Sequence, residues 1–229
     1  MPHGMRFIVT IDGPAGAGKS SAARGLARRL GFEFLDTGAM YRAVALAGLR
    51  AGTDLRDPGA LSRLLAGLRL EMPPGRIILN GEDVTEQIRT PEVTAGSSLV
   101  ADSAAVRRYL VGLQRAIAAG RDMVCEGRDQ GTVVFPDAAC KFFLVADPQE
   151  RARRRQREMA ERGQSVPWEQ LLEAQAERDR RDAARDIAPM VPAPDAVLLD
   201  STRLGLDEVI DRMEQEVRRR RPAIDPAGR

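Results

Sequence analysis

The sequence predicts an α/β fold in which helices flank a five-stranded parallel sheet. Short runs rich in Val, Ile, Leu and Phe, each bounded by Gly, Asp or Pro, alternate along the chain with longer helical patterns. Such alternation is typical of a parallel sheet that is covered on both faces. A glycine-rich turn joins the first strand pattern directly to the first helical pattern and indicates the same class. The predicted strands are residues 7–11, 33–36, 123–126, 141–145 and 197–199.

One stretch breaks the alternation. Residues 68–85 carry Pro-Pro-Gly and Asn-Gly turn signals between short strand-like pieces, which predicts a small antiparallel β insertion. Residues 148–186 are dense in Arg, Glu, Asp and Gln, and they predict a solvated helical pair that acts as a mobile lid. From Arg218 onwards we expect a disordered, solvated tail rather than an arm that binds nucleic acid. The predicted helices are residues 19–30, 39–51, 58–67, 91–119, 148–162, 168–186 and 206–220.

Composition excludes several classes of protein. Hydrophobic residues make up 43% of the 229, which suits a globular domain, and no apolar run approaches the ~20 residues that cross a bilayer. The N-terminal residues run into the first strand without a signal-peptide pattern, so we expect a cytoplasmic protein with no membrane partner. Cys125 and Cys140 lie in apolar strand patterns and are expected to be reduced and buried. His3, the single histidine, is expected in a frayed terminus, which excludes a His-based metal site and a Ser-His-Asp triad.

The glycine-rich turn fits the phosphate-binding motif GxxxxGK[ST]. It follows a strand pattern and opens a helical one, which is the context that the motif requires, and it predicts a P-loop NTPase fold. Its glycines let backbone N–H groups surround a phosphate chain at a helix N-terminus. Only two of the 35 basic residues are lysines, and one of them, Lys19, occupies the position that faces the β- and γ-phosphates; Ser20 or Ser21 offers a hydroxyl to Mg²⁺. The predicted ATP contacts are Gly13, Pro14, Ala15, Gly16, Ala17, Gly18, Lys19, Ser20 and Ser21.

Residues after the other strands favour a kinase over other nucleotide-binding proteins. The chain has no NKxD-type base-reading signature of GTPases. Motor ATPases carry an apolar strand that ends in Asp, whereas the strand at 123–126 ends in Glu126 and is followed by Arg128, which suits capture of a second anion. Arg42 follows the second strand, and it is therefore placed at the carboxyl edge where ligands bind in open α/β sheets.

A set of charged residues in the predicted lid has helical spacing. Arg178, Arg181, Asp182 and Arg185 would lie on one face of the helix predicted at 168–186. The spacing leaves two interpretations open: a solvated helix with internal ion pairs, or a flap that brings three guanidinium groups and a carboxylate over the substrates. Phosphoryl transfer between two nucleotides needs two anions held in line, charge stabilisation and exclusion of water, which a flap of this kind would provide.

The motifs together resemble those of the bacterial cytidylate kinase family over about residues 5 to 217. The matching segments are VTIDGPAGAGKSS, FLDTGAMYRAVAL, NGEDVTEQIRTPEV, EGRDQGTVVFPDA, ERDRRDAARDIAPMVPA and LLDSTRLGLDEVI. The resemblance implies phosphorylation of CMP and dCMP by ATP, with Mg²⁺, in a monomer that does not bind nucleic acid. It also implies a core at 1–36, 121–147 and 191–217, an acceptor-binding region at 37–120, a lid at 148–190 and a tail at 218–229.

Site residues follow from the same resemblance. It implies that Ser98, Arg107 and Asp129 contact the cytosine edge, and that Arg178 and Asp182 hold the ribose hydroxyls. The residues implied to bind the acceptor are Thr37, Arg42, Ser98, Arg107, Arg128, Asp129, Arg178, Asp182 and Arg185. The residues implied in catalysis are Lys19, Arg128, Arg181 and Arg185, with Ser20 as the Mg²⁺ ligand, and an arginine from 151–155 is expected to face ATP.

Three positions depart from the family pattern and bear on specificity. Ala15 stands where serine is common, Glu126 replaces an aspartate, and Gln130 replaces a methionine. None of these changes removes a charged phosphate ligand. Two alternatives therefore stay open: a kinase for another nucleoside monophosphate or small anionic acceptor, and a nucleotide-sensing module without catalysis.

Overall fold

A computed structural model describes residues 7–161 and 163–221 of the chain. The strands are β1 (Ile8–Asp12), β2 (Glu33–Asp36), β3 (Leu70–Glu71), β4 (Ile78–Leu79), β5 (Glu82–Asp83), β6 (Met123–Glu126), β7 (Cys140–Val145) and β8 (Val197–Asp200). The helices are α1 (Lys19–Leu30), α2 (Thr37–Arg50), α3 (Pro58–Ala66), α4 (Pro91–Val100), α5 (Ala104–Ala118), α6 (Pro148–Glu161), α7 (Trp168–Ala183) and α8 (Leu206–Arg220).

The main sheet confirms the predicted five-stranded architecture. Its strand order is β2-β6-β1-β7-β8, and β1 pairs in parallel with both β6 and β7. Ile11 lies opposite Glu126, and Asp12 lies opposite Phe143. Because the carboxyl ends of these parallel strands meet at one edge, the glycine-rich turn after β1 begins beside the segment that follows β6.

Apolar residues of β1, β7, α1 and α8 form the core beneath this sheet. Val9 and Phe142 are buried with Leu26 of α1 and Met213 of α8. The two cysteines, Cys125 and Cys140, are free and buried, as predicted, and burial raises the pKa of both thiols. Within the described ranges, no helix has the length and apolar character that crossing a membrane requires.

The chain divides into two compact units. The first contains the chain up to Phe34, Gly120–Ala184 and the chain from Met190 onwards. The second contains Leu35–Ala119 together with Arg185–Pro189. The first unit therefore holds the glycine-rich turn and helices α6 and α7, and the second holds helices α2 to α5.

A small antiparallel sheet lies in the second unit, where the turn signals predict it. Strands β3, β4 and β5 pair in that order. Asn80 and Gly81 both have positive φ angles, of 51° and 87°, so they form the tight turn between β4 and β5. The Asn80 side chain also accepts a hydrogen bond from the backbone N–H of Arg69 at 2.9 Å.

The predicted helix at 91–119 is in fact two helices. Helix α4 ends at Val100, and α5 begins after Ser103, whose hydroxyl accepts a hydrogen bond from the backbone N–H of Val106. Serine and aspartate bond readily to nearby backbone groups, which favours caps and turns over helix interiors. The periodic apolar pattern continues across Asp102 and Ser103, so periodicity alone could not locate this break.

Two predicted boundaries near the C-terminus are also wrong. Helix α7 ends at Ala183 rather than at residue 186, because the Asp182 carbonyl accepts from the backbone N–H of Met190 and the chain turns away. Arg185 is therefore not on the α7 face that the spacing predicts. Helix α8 runs to Arg220, so the expectation of disorder from Arg218 is wrong for residues 218–220. Two stretches named in the sequence analysis lie outside the described residues: residues 1–6, which include His3, and residues 222–229 of the predicted tail.

Substituting leucine at two helical glycines should change stability in opposite directions. A Cβ at Gly96 of α4 would lie 2.9 Å from Leu55 Cδ1 and 3.3 Å from Ala45 Cβ, whereas a Cβ at Gly112 of α5 would meet nothing within 4 Å. Gly96→Leu should therefore lower the free energy of unfolding by about 1–3 kcal/mol through overpacking. Gly112→Leu should raise it by about 0.5–1 kcal/mol, because leucine is the better helix former. Urea unfolding of both variants measures the two changes, and losses of equal size would contradict the packing argument.

Candidate active site

The loop between β1 and α1 is bent in a way that requires glycine. Gly13, Gly16 and Gly18 have φ angles of 134°, 77° and 90°, in the region that other residues rarely adopt. Gly13 also lies against β7: a Cβ there would come within 2.1 Å of the Leu144 carbonyl oxygen. The loop thus depends on both backbone freedom and close contact with the neighbouring strand.

Several donors bind the carbonyl groups of this loop. Lys19 Nζ donates to the Pro14 carbonyl at 2.6 Å, Arg151 Nη1 donates to the Ala15 carbonyl at 3.0 Å, and Ser201 Oγ donates to the Ala17 carbonyl at 3.0 Å. In a trans peptide the N–H of the next residue points opposite to the carbonyl. Holding these carbonyls leaves the opposite face of the loop to the N–H groups, which suits an anion.

Lys19 is buried in a cluster of charges. Burial lowers the pKa of its ammonium group, and the positive charges of Arg128 and Arg178 lower this pKa further; Glu126 and Asp12 act in the opposite direction. Arg128, in the segment that follows β6, and Arg178, on α7, thus repel the positive charge of Lys19. Such an accumulation of cations is suited to a bound polyanion.

Two oxygen atoms that could serve as metal ligands meet beside the loop. Ser20 Oγ donates to Glu126 Oε1 at 2.5 Å, and Glu126 is buried at the carboxyl end of β6. Mg²⁺ prefers oxygen ligands and usually keeps several waters together with substrate phosphates. No group of three or more His, Cys, Asp or Glu suited to a metal occurs in residues 7–161 and 163–221. The pair fits Mg²⁺ bound with a nucleotide. Sequence reasoning found Ser20 but missed Glu126 in this position.

Arg128 and Asp182 form a buried ion pair. Arg128 Nε donates to Asp182 Oδ2 at 2.9 Å, and Asp182 is 2% exposed. The structure thus brings together two predicted site residues, one in the segment that follows β6 and the other on α7. Arg181 does not join them: its side chain is 52% exposed and pairs with Glu177 of the same helix.

Asp12, a residue that the sequence analysis did not single out, organises the segment after β6. Its carboxylate accepts from the backbone N–H groups of Gln130 and Gly131, both at 2.8 Å. These residues begin a π-helical turn, Gln130–Val134, directly after the buried Asp129. The buried carboxylate thus fixes the position of the turn through two backbone N–H groups. In the sequence, the one sign of this role is that an aspartate ends the strand immediately before the glycine-rich motif.

In the second unit, Arg42 lies on the second turn of α2. Asp36 caps this helix by accepting from the backbone N–H of Ala39 at 2.8 Å, and its other oxygen lies 3.4 Å from Arg42 Nη2. The Nε–H of Arg42 is buried and has no hydrogen-bond partner among the residues that the structure describes. Thr37, at the start of the same helix, is buried.

The other predicted acceptor residues of this unit occupy α4, α5 and the chain after α7. Ser98 is half-buried on α4. Arg107 on α5 is 5% exposed, although helical spacing alone places it on a surface. Arg185 is largely buried, and its Nε donates to Asp102 Oδ1 at 2.8 Å. Asp102, in the break between α4 and α5, is a partner that the sequence did not reveal.

Comparison with known proteins gives the family. The family model described as cytidylate kinase matches residues 9–219. The chain belongs to the cytidylate kinase family. Cytidylate kinase from Solibacter usitatus is 52% identical over 217 residues, which cover 94% of this chain and 94% of that protein. Cytidylate kinase from Pelotomaculum thermopropionicum is 52% identical over 207 residues, covering 88% of this chain and 92% of that protein.

A solved structure agrees with the fold. The crystal structure of an uncharacterized protein from Eubacterium ventriosum aligns with a TM-score of 0.53 and 12% identity, covering 93% of this chain and 99% of that one. At this identity the likeness concerns the fold alone. The family match therefore confirms the resemblance that the sequence motifs predicted. The six motif segments that carry this resemblance all lie within residues 9–219.

Asp12→Asn should alter how the stability of this family member depends on pH. Burial raises the pKa of Asp12 from 3.8 to about 6, against the opposing effect of its two backbone N–H bonds. A raised folded-state pKa means that the contribution of Asp12 to stability is fully present below about pH 4 and is lost as the pH rises through about 6. Across that window the wild type should lose about 3 kcal/mol of unfolding free energy relative to the variant.

Urea unfolding of both proteins at a series of pH values measures this difference, since subtracting the variant cancels the groups that the two proteins share. A difference that stays constant with pH would show that the folded protein does not shift this carboxyl.

Proposed function

We propose that the protein transfers the γ-phosphoryl group of ATP to CMP, and also to dCMP. The observation that carries this proposal is that Arg128, which pairs with Asp182, and Arg178 both act electrostatically on the loop lysine, Lys19, in a chain that belongs to the cytidylate kinase family over residues 9–219. The phosphate loop and its lysine are enough to bind one polyanion, the phosphate chain of ATP. The additional guanidinium groups supply the positive charge and N–H donors that a second polyanion, the acceptor phosphate, requires.

The donor is held by the phosphate loop. The backbone N–H groups of residues 15–21 surround the β- and γ-phosphates, and the N-terminus of α1 adds its dipole. Lys19 contributes a compact charge. Arg151 and Arg154 approach the loop through its carbonyls and not through its anion-facing side.

Ser20 and Glu126 would hold Mg²⁺. A bound Mg²⁺ would supply positive charge that offsets the negative charge developing during transfer. In the protein alone the hydroxyl and the carboxylate are bonded to each other, so both oxygens are already placed at the end of β6.

Roles in acceptor binding are proposed for the residues of each unit by itself. In the first unit Arg128 binds the acceptor phosphate, Asp129 accepts from the cytosine 4-amino group, and Asp182 with Arg178 holds the ribose hydroxyls. A carboxylate is a suitable partner for that amino group, and an arginine fork suits a phosphate. Within the second unit, the family resemblance assigns Thr37, Arg42 and Arg185 to a phosphate, and Ser98 and Arg107 to a base. The buried, unpartnered Nε–H of Arg42 supports its assignment to an anionic ligand.

The reaction is an in-line displacement without a covalent enzyme intermediate. A phosphate oxygen of CMP forms a bond to the γ-phosphorus while the bond from that phosphorus to the β,γ-bridging oxygen breaks, and ADP leaves with the electron pair. Lys19 and Arg128 stabilise the negative charge on the moving group, and Arg181 and Arg185 are assigned the same role. Closure of the lid at residues 148–190 excludes water, which would otherwise accept the phosphoryl group. The enzyme acts as a cytoplasmic monomer in this proposal.

A panel of acceptors tests the specificity. ADP release from ATP and Mg²⁺ should be fastest with CMP and dCMP and should be slower with UMP, AMP and GMP, because Asp129 accepts from an amino group that uracil lacks. A coupled assay of ADP formation measures each rate. Equal or faster turnover with another monophosphate would indicate a kinase for a different acceptor, and tight ATP binding without acceptor-stimulated ADP release would indicate a nucleotide-sensing module.

Arg128→Ala should lower kcat/KM for CMP by about 10³, because a guanidinium on the transferring group is lost in a site that excludes water. Arg180→Ala is the matched control, since Arg180 lies on α7 with its side chain 73% exposed. Steady-state kinetics with CMP varied, together with thermal unfolding of each variant, separates catalysis from folding. A loss of less than tenfold in a folded Arg128→Ala variant would remove Arg128 from this role.

A further inference from the structure

Arg151 of α6 is a buried arginine, and the protein itself engages its Nε and Nη1 donors. Its Nε donates to the Ala146 carbonyl at 3.1 Å, and its Nη1 donates to the Ala15 carbonyl at 3.0 Å. Nη1 also lies 2.6 Å from Asp179 Oδ2 on α7, and the Arg151 side chain is 6% exposed. The guanidinium thus joins three parts of the first unit: the end of β7, the phosphate loop and helix α7.

The contact with Ala15 lies at the centre of the loop. The next residue, Gly16, has a φ of 77°, and a Cβ there would lie 3.1 Å from Arg151 Cβ and 3.0 Å from Gln175 Nε2. Gln175 in turn donates to the Arg151 carbonyl at 3.3 Å. Helices α6 and α7 therefore pack directly on the loop, on the side that carries its carbonyl groups.

Asp179 lies between two residues of α7 that have a role in the proposed function. Arg178 precedes it, and Asp182, which pairs with Arg128, follows one turn later. Through Asp179 the helix that presents these groups is tied to Arg151, and through Arg151 it is tied to the loop. To present Nε or Nη1 to a phosphate, Arg151 would have to give up an ion pair and two carbonyl bonds, and breaking the pair would leave its buried charge without that carboxylate, which is costly.

We propose that Arg151 is a positioning residue that holds the phosphate loop through the Ala15 carbonyl, and that Asp179 fixes Arg151 for this task. The affinity for nucleotide then depends on an ion pair that touches no part of the nucleotide. The inference rests on the proposed function in taking ATP as the donor. It also assigns Arg151 a place outside the set of arginines that face the phosphates.

The opposite arrangement makes opposite predictions. If Arg151 were a phosphate ligand that Asp179 holds back, removing the charge of Asp179 would release it, and ATP binding would stay unchanged or become tighter. If Arg151 acts through the loop, removing that charge loosens the loop and weakens binding. A loop that surrounds the β-phosphate would weaken for ADP as much as for ATP, whereas loss of a γ-phosphate ligand would affect ATP alone.

Calorimetric titration with Mg·ATP and with Mg·ADP, without CMP, provides the test. Asp179→Asn should weaken the binding of both nucleotides by about five- to tenfold and by the same factor, since the neutral amide keeps the shape but loses the ionic bond. Arg151→Lys should weaken both by about tenfold or more, because one ammonium cannot reach two carbonyls and a carboxylate at once. Adding Asp179→Asn to Arg151→Lys should cause no further loss if Asp179 acts only through Arg151.

Two control variants change the same kinds of side chain on the same helices. Glu173→Gln removes an exposed carboxylate from α7, and Arg157→Lys changes an arginine of α6 whose side chain is 68% exposed. Both should bind the two nucleotides as the wild type does. If Asp179→Asn does not fold, Arg151→Met combined with Asp179→Leu removes both charges and leaves none unpaired, and it should show the same equal losses.

The outcomes separate this inference from the proposed function. Unchanged or tighter ATP binding in folded Asp179→Asn overturns the role of the ion pair, and a loss confined to ATP overturns the role of Arg151 in the loop. Failure of the wild type itself to bind Mg·ATP would instead contradict the proposed function. A lower melting temperature with unaltered nucleotide affinity would show that the pair serves stability alone and would also overturn the inference.

Discussion

Burial of several positive charges beside one another is the constraint on which this active site depends. An ammonium and neighbouring guanidinium groups repel each other and lose hydration, and both effects are visible in the lowered pKa of Lys19. The protein offsets them with carboxylates: Glu126 and Asp12 act on Lys19, and Asp182 pairs with Arg128. These partners make the cationic cluster stable before a nucleotide arrives, and a bound polyanion would complete the neutralisation.

The backbone of the phosphate loop likewise requires partners for its polar groups. A chain that turns its N–H groups towards an anion must place its carbonyls on the other side, where each needs a donor. Ser201, Arg151 and Arg154 supply donors to those carbonyls. Two of the arginines at 151–155, a set from which the family resemblance implies an ATP contact, thus bind carbonyl groups of the loop, and α6 contacts the loop through them.

Arginines of the second unit show a similar pairing. Asp36 caps α2 and approaches Arg42, and Asp102 binds Arg185 from the break between two helices. In each case a carboxylate that also belongs to a turn or a cap holds a guanidinium in place, which would reduce the entropy lost on binding a ligand there. Short polar residues at helix ends thus position both arginines of the second unit.

The sequence by itself determined the strand and helix order, the phosphate loop with Lys19 and Ser20, the β insertion and the cytidylate kinase resemblance, because these depend on contiguous residues and local periodicity. Only the tertiary structure decided that Arg185 lies beyond α7, that Arg107 is buried, and that Glu126, Asp12 and Asp179 are the carboxylates that serve the cationic groups. Their pairings join residues such as Ser20 and Glu126, which are 106 positions apart. Which carboxylate meets which arginine is set by how strands and helices pack, and no local pattern in the chain encodes that distance.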